Sequence, residues 1–592
     1  MTEEIRSMES RMRLIVMLVC ALSVFGTGGA LANGPLVKLV DGSSVEGVSV
    51  SINGVKVSSF LGLRYAAAPV GDLRWQPPVS FTASSDKLDA KSFGPPCPQQ
   101  VRTQRKGSDP SSDLSGDEDC LFLNVWTPAG GVADELPVLV WIHGGGFVRG
   151  ATSDPRFNGA WLASQGIVVV TISYRLGVMS TPPPLWAFLD GDNQVESVNF
   201  GLLDQTLALV WVKANIAAFG GDPAQVTVAG SSAGGASVGY LASNPAVMHS
   251  KLFSKAIMMS SGGGDRKSAY KIAENMLPLN FQKLWELVID RLDDKTFCSA
   301  SSVPEIKADM TLKVAMASQA VAKALRHCIP ASDLVAAFGN TWSKAGKLVT
   351  QEYRAYPFHD GKTVVTASQV DGFKLGAAPG LPVMIGFARD EATEVDNRGL
   401  ALREKALVMR LKRVGIGSVR NWNDVVRLYP DADGSVALPR RTYADVTYHW
   451  PAQIIACLQA RTERNVFVYE FNYTSPQRKR DPDAGAGHSE DAVWLFGGPV
   501  LASGLGSREG RVDERDGAFV SGFTGAILNF VKFADPMRAD LKWAPYMPGM
   551  NVMKIGNPAF EMRSGYDAPR LKAIQAMSSN YGIDFSQDGC KP

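Results

Sequence analysis

The chain has 592 residues, 45% of them hydrophobic and 20% charged, with a formal net charge of +2. This is the composition of a globular protein, with 26 Phe and 12 Trp available to fill a large core, and it excludes an intrinsically disordered chain. No long basic run is present, so nothing in the charge points to nucleic acid. Near the start, Leu14–Phe25 is apolar, Arg11 and Arg13 precede it, and Ala30-Leu31-Ala32 follows. That layout predicts a signal peptide over residues 1–32 with an A-x-A cleavage site, and the stretch is too short to span a bilayer stably. Glu3, Glu4 and Glu9 suit a positive n-region poorly, which favours a start at Met8 or Met12. The expectation is a secreted or periplasmic protein whose residues 33–592 form one domain, with no membrane span after signal removal. A soluble monomer or weak oligomer fits the near-neutral charge. Of seven Cys, six remain after Cys20 leaves with the signal, an even number compatible with disulfides in an exported chain. No CxxC or clustered Cys/His spacing suggests zinc, so no metal is expected.

Val48-Ser49-Val50-Ser51-Ile52 alternates and predicts an edge hairpin. Residues 98–119 are polar and mixed in charge, as in an exposed loop. Val138–Ile142 and Ile167–Ile172 are apolar without alternation, the pattern of central parallel strands covered on both faces. His143-Gly144-Gly145-Gly146-Phe147 follows the first of these, and a glycine run leaves backbone N–H groups bare to wrap a developing oxyanion. No G-K-[ST] follows, which argues against a phosphate loop. Apolar residues recur at helical spacing between Phe200 and Ala218, and Gln225–Ala229 predicts the next strand.

Gly230-Ser231-Ser232-Ala233-Gly234 then sits between that strand and a small-residue helix start. A G-x-S-x-G at such a junction is a nucleophile-elbow pattern, in which the turn is so sharp that only glycines flank it and the Ser232 hydroxyl is held out at the strand end. Further strands are predicted at Ala256–Met259, Val383–Ile385 and Val466–Tyr469, while residues 265–360 and 395–460 predict helical insertions capping the strand ends. Strands alternating with helices give an α/β fold with a large, mostly parallel central sheet flanked by helices. A serine needs a base, and the base needs a third group to fix its tautomer. His488 lies in a Gly-rich loop after the last of these strands and is the candidate base; His327 and His449 fall in helical stretches and read as structural or exposed. The acid belongs at a strand end between nucleophile and base, and by spacing Asp390 and Glu391 both qualify. The oxyanion donors are assigned to the backbone N–H groups of Gly145, Gly146 and Ala233, with His143 structural.

Several longer stretches match in order a known family. Phe60–Pro78 is similar to an F-L-G-I-P-Y-A…L-R-F-x-P-P segment, and Glu118-Asp119-Cys120-Leu121-Phe122-Leu123-Asn124-Val125 to an E-D-C-L-x-L-N-V signature. Asn199–Gln205 and Asn215–Pro223 precede the elbow as they do there. From about Gly34 to Tyr546 the chain resembles the type-B carboxylesterases, the cholinesterase-like serine esterases of the α/β-hydrolase fold. The resemblance implies a carboxylic-ester hydrolase without cofactor, acting on small-molecule esters through Ser232, His488 and an acyl-enzyme. It also implies that the acid is Glu391 rather than Asp390. A Cys97–Cys120 disulfide is implied too; the pairing of Cys298, Cys328, Cys457 and Cys590 stays open, with Cys298–Cys328 and Cys457–Cys590 as one choice. The chain departs from the family where Ser231 replaces the elbow's usual Glu, where Ala392 replaces a Gly, and over Ser180–Ser197.

Two other readings compete. A non-catalytic binding module of this family typically lacks a triad member, and here all three residues are present. A true lipase needs a long amphipathic lid, and the loop at 98–119 is too polar for one.

Overall fold

The apolar runs without alternation become the middle of one sheet, eleven-stranded among the described residues. In this computed structural model the described residues are 34–564 except 84, 101–113, 130–134, 182–198, 262–325, 339–356, 358–368, 392–406, 409–410, 412–418, 429–436, 464, 476–484, 499–515, 548–549 and 557–559, with Gln575 and Ser579 beyond. The expected signal peptide, Cys298, Cys590, Ala392, most of Ser180–Ser197 and most of the expected helical cap lie outside them.

The strands in chain order are β1 Val48–Ile52, β2 Val55–Arg64, β3 Phe122–Pro128, β4 Leu136–Ile142, β5 Val168–Ile172 and β6 Gly221–Ser231. They continue with β7 Lys255–Met259, β8 Val383–Ala388, β9 Val466–Asn472, β10 Val552–Gly556 and β11 Phe560–Arg563. Across the sheet they run β11-β10-β9-β8-β7-β6-β4-β5-β3-β2-β1. Neighbours from β5 to β10 are parallel, and the pairs at either edge are antiparallel. The expected edge hairpin is β1–β2, turning at Asn53-Gly54.

Period-two geometry explains why the central strands show no polar alternation, because each face meets its own apolar layer. Val138, Val140, Ile142, Val226 and Val228 pack with helices α1 (Phe200–Asn215), α2 (Ala233–Ala242) and α3 (Trp450–Ala460). Leu139, Trp141, Ala229, Met384 and Phe467 face the other way, against α4 (Glu490–Leu495) and α5 (Gly517–Phe533). Strand ends therefore converge on one rim of a sheet made rigid from both sides.

The stretches singled out in the sequence are joined by charge. Arg64 pairs with Asp119, and Arg74 Nε donates to Glu118 Oε1 at 2.7 Å. The Arg74 guanidinium also donates to the Ile329 carbonyl at 2.7 Å. Next to them Cys97 and Cys120 form a disulfide. Cys328 and Cys457 are disulfide-bonded as well. Arg175 and Asp204 make a buried two-pronged pair, with Nη2 to Oδ1 at 2.7 Å and Nε to Oδ2 at 2.8 Å. Such bidentate pairs fix geometry more than they add stability.

Candidate active site

Between β6 and α2 the backbone of Ser232 has φ 58° and ψ −121°, a strained conformation for a residue with a side chain. The flanking glycines make the turn sterically feasible. A Cβ on Gly234 would lie 2.0 Å from the Ile142 carbonyl oxygen, and one on Gly230 2.5 Å from the Gly234 carbonyl carbon. Those obstacles are backbone and cannot step aside. The Ser232 N–H donates to the Met259 carbonyl at 2.9 Å, which fastens the turn to β7.

His488 arrives on the loop between β9 and α4. That loop is tied to the end of β8, since the Asp390 N–H donates to the Ala486 carbonyl at 3.0 Å and the Ala486 N–H donates to Asp390 Oδ2 at 3.2 Å. Glu391, next along, is 3% exposed. Its Oε1 accepts from the Ala388 N–H at 2.8 Å, and its Oε2 lies 2.5 Å from His488 Nδ1. On the far side of the ring, His488 Nε2 is 2.8 Å from Ser232 Oγ. An ionised carboxylate only accepts, so Nδ1 carries the proton and the Nε2 lone pair faces the serine hydroxyl. The two carboxylates that spacing left open thus take different places: Glu391 meets the imidazole, while Asp390 holds the loop that carries it.

The glycine run lies against the elbow. A Cβ on Gly144 would sit 3.1 Å from Ser232 Cβ, and Gly145 and Gly146 adopt φ of 119° and 68°. Among the described residues the N–H groups of Gly145 and Gly146 donate to no partner. Ala233 opens α2, where backbone N–H groups lack intrahelical acceptors. His143 is buried and stacked on Tyr174 at 4.5 Å, with Nδ1 2.9 Å from the Gly144 carbonyl. Burial pushes its imidazole down to about 4, so it is neutral and structural, as expected. His327 is partly exposed and meets Asp72 at 2.9 Å.

Sequence reasoning missed a buried polar layer behind the base. Ser231 Oγ donates to Ser489 Oγ at 2.8 Å, and the Ser489 N–H donates to Ser260 Oγ at 3.3 Å. Asp491, fully buried, accepts from the Tyr469 hydroxyl at 2.8 Å and the Ala492 N–H at 2.9 Å. Its carboxyl is raised to about 7, first by burial and then by the charge of Glu391. The sign follows from proton counting. Between roughly pH 4 and 7 the native state binds more protons here than the unfolded chain, so stability falls as pH rises through that window. Asp491→Asn should flatten this decline and raise Tm at pH 8 by about 2–5 °C, read by thermal unfolding across pH. The amide oxygen can take the Ala492 N–H, and the Tyr469 hydroxyl can turn to accept.

A doubly covered parallel sheet in this strand order, with a serine on the sharp turn between β6 and α2, defines an α/β-hydrolase. The chain belongs to the carboxylesterase family, whose model matches residues 33–574, and is a carboxylic-ester hydrolase. It is 29% identical to the fumonisin B1 esterase of Sphingopyxis macrogoltabida, covering 88% of this chain and 86% of that protein. It is 30% identical to the para-nitrobenzyl esterase of Bacillus subtilis over 83% of this chain and 89% of that one. Rat carboxylesterase 1E is 30% identical over 92% and 94% of the respective chains. A solved structure of a PNB esterase superposes with a TM-score of 0.69 at 26% identity, over 91% of this chain and 99% of that one.

Proposed function

We propose that this esterase works through Ser232, His488 and Glu391 and an acyl-enzyme intermediate. His488 Nε2 takes the Ser232 proton as Oγ attacks the ester carbonyl carbon. The carbonyl oxygen becomes an anion received by the N–H groups of Gly145, Gly146 and Ala233. Glu391 holds the imidazolium that forms. Collapse of the tetrahedral adduct expels the alcohol, protonated by His488, and leaves an ester on Oγ. Water, deprotonated by the same imidazole, then attacks that ester, and the acid departs as Oγ regains its proton.

The observation that carries this reading is the continuous line from Ser232 Oγ to His488 at 2.8 Å and from His488 to Glu391 at 2.5 Å. With Ser231 where the family usually has a carboxylate, the elbow is uncharged, which favours neutral small-molecule esters over cationic ones. The reading includes export after loss of residues 1–32, a soluble monomer or weak oligomer, and no nucleic-acid partner. Its test is hydrolysis of p-nitrophenyl acetate, butyrate, octanoate and palmitate, with a fluorophosphonate used to label the protein. Turnover of the short chains and one phosphonate on the Ser232 peptide are expected. Turnover confined to palmitate at an oil–water interface means a lipase, and a folded protein that neither turns over nor labels means a binding module.

A further inference from the structure

One titratable group beside the site has no part in the reaction above. His449 is 4% exposed and ends a π-helical turn, Asp445–His449, that leads into α3. Its Nδ1 lies 2.7 Å from Asp445 Oδ1 and its Nε2 2.9 Å from the Ala388 carbonyl oxygen, so both ring nitrogens face acceptors. The residue whose carbonyl receives Nε2, Ala388, is also the one whose N–H donates to Glu391 Oε1. The preceding residue of the same turn, Tyr448, places its ring 5.0 Å from that of His488. A single turn therefore touches the acid's strand and the base's ring at once. π-Helical turns are rare in helices and concentrate where side chains must be aimed at a site.

We infer that the turn Asp445–His449 is a positioning device for the Ser232–His488–Glu391 line, with His449 acting as a buried imidazolium that donates from both ring nitrogens. Only the doubly protonated ring can donate to the ionised Asp445 carboxylate and to the Ala388 carbonyl together. Neutralising it costs one of the two anchors, and the end of β8 loses its brace just where Glu391 is set. The charges around the ring agree. Burial pushes the His449 imidazolium down, but the Asp445 hydrogen bond and charge, the Ala388 carbonyl and Glu470 on β9 outweigh it and bring the group up to about 9. The carboxyl of Asp390, after β8, is raised by burial and drawn down in part by the charge of His449. The sequence contains no matching signal, because Ala388 and His449 meet across 61 residues of chain.

This inference rests on the proposed triad, and the test separates the two. In wild-type protein with ring-15N histidine, one of the six His rings should stay doubly protonated at pH 8 and lose a proton near pH 9. The kcat for p-nitrophenyl butyrate should fall reversibly over the same range. Asp445→Asn removes the attraction that raises His449, so the alkaline fall should move to lower pH by at least one unit. His449→Gln should abolish that fall and lower kcat at neutral pH by about tenfold, with KM changed less than twofold. A His449 that only fills space moves none of these profiles. A neutral ring at pH 8, or an alkaline fall unmoved in both variants, overturns the inference. Should neither variant fold, the wild-type spectrum decides alone. Failure of the wild type to take a phosphonate on Ser232 condemns the triad instead.

Discussion

Ser232→Ala should fold normally and lose roughly three or more orders of magnitude in kcat, with KM for short p-nitrophenyl esters little changed. The fold survives because the strain at φ 58° belongs to any residue with a Cβ, and alanine bears it as serine does. The change removes one hydroxyl and its 2.8 Å contact with His488, worth less than about 1 kcal/mol net in a partly exposed site. His488 keeps its bond to Glu391 and its packing against Tyr448. On the proposed mechanism the glycine N–H groups should still polarise a bound carbonyl, so some turnover above background should persist without an acyl-enzyme, and no phosphonate should attach. Steady-state kinetics with titration of labelled protein reads both. A homogeneous Ser232→Ala protein of wild-type activity removes Ser232 from the mechanism.

The parts of this arrangement that were legible in the sequence are those fixed by short-range sterics and by burial on two faces. Gly230 and Gly234 announce a turn because their neighbours leave no space for a Cβ, and Val138–Ile142 announces a central strand because both of its faces are covered. The expected strand Gln225–Ala229 is observed as Gly221–Ser231, longer at both ends, with an irregular register between Gly221 and Val226. The expected helix from Phe200 ends at Asn215 and tightens into a 3-10 turn, Ile216–Phe219. Contacts between distant segments were not legible. Spacing could not choose between Asp390 and Glu391, because both follow β8 and what divides them is the position of a loop almost a hundred residues on; it took the family resemblance to favour Glu391. Asp491 and His449 were invisible for the same reason: each is an ordinary polar residue, one in a Gly-rich loop and one in a helical stretch, until Tyr469 or Ala388 is brought against it.

Glu391→Gln should lower kcat by about 10³–10⁴ while leaving the fold and KM nearly intact, and the reason lies in the second oxygen of the carboxylate. An amide could in principle turn its oxygen toward His488 and preserve the tautomer. Here that choice is blocked, because Oε1 already accepts the Ala388 N–H at 2.8 Å in a site that is 3% exposed. Pointing the NH₂ there would set donor against donor without water to intervene. The amide oxygen therefore takes the backbone N–H, and the NH₂ faces Nδ1. His488 must then carry its proton on Nε2, where it confronts Ser232 with a donor instead of a lone pair. Asp390→Asn supplies the contrast, since its amide oxygen can still accept the Ala486 N–H, and it should cost less than about tenfold. Comparing kcat for the two variants on one short-chain ester, with unfolding midpoints as a control, measures the division of labour directly. Equal losses would mean that the neighbouring carboxylates share one structural task and that neither orients the imidazole.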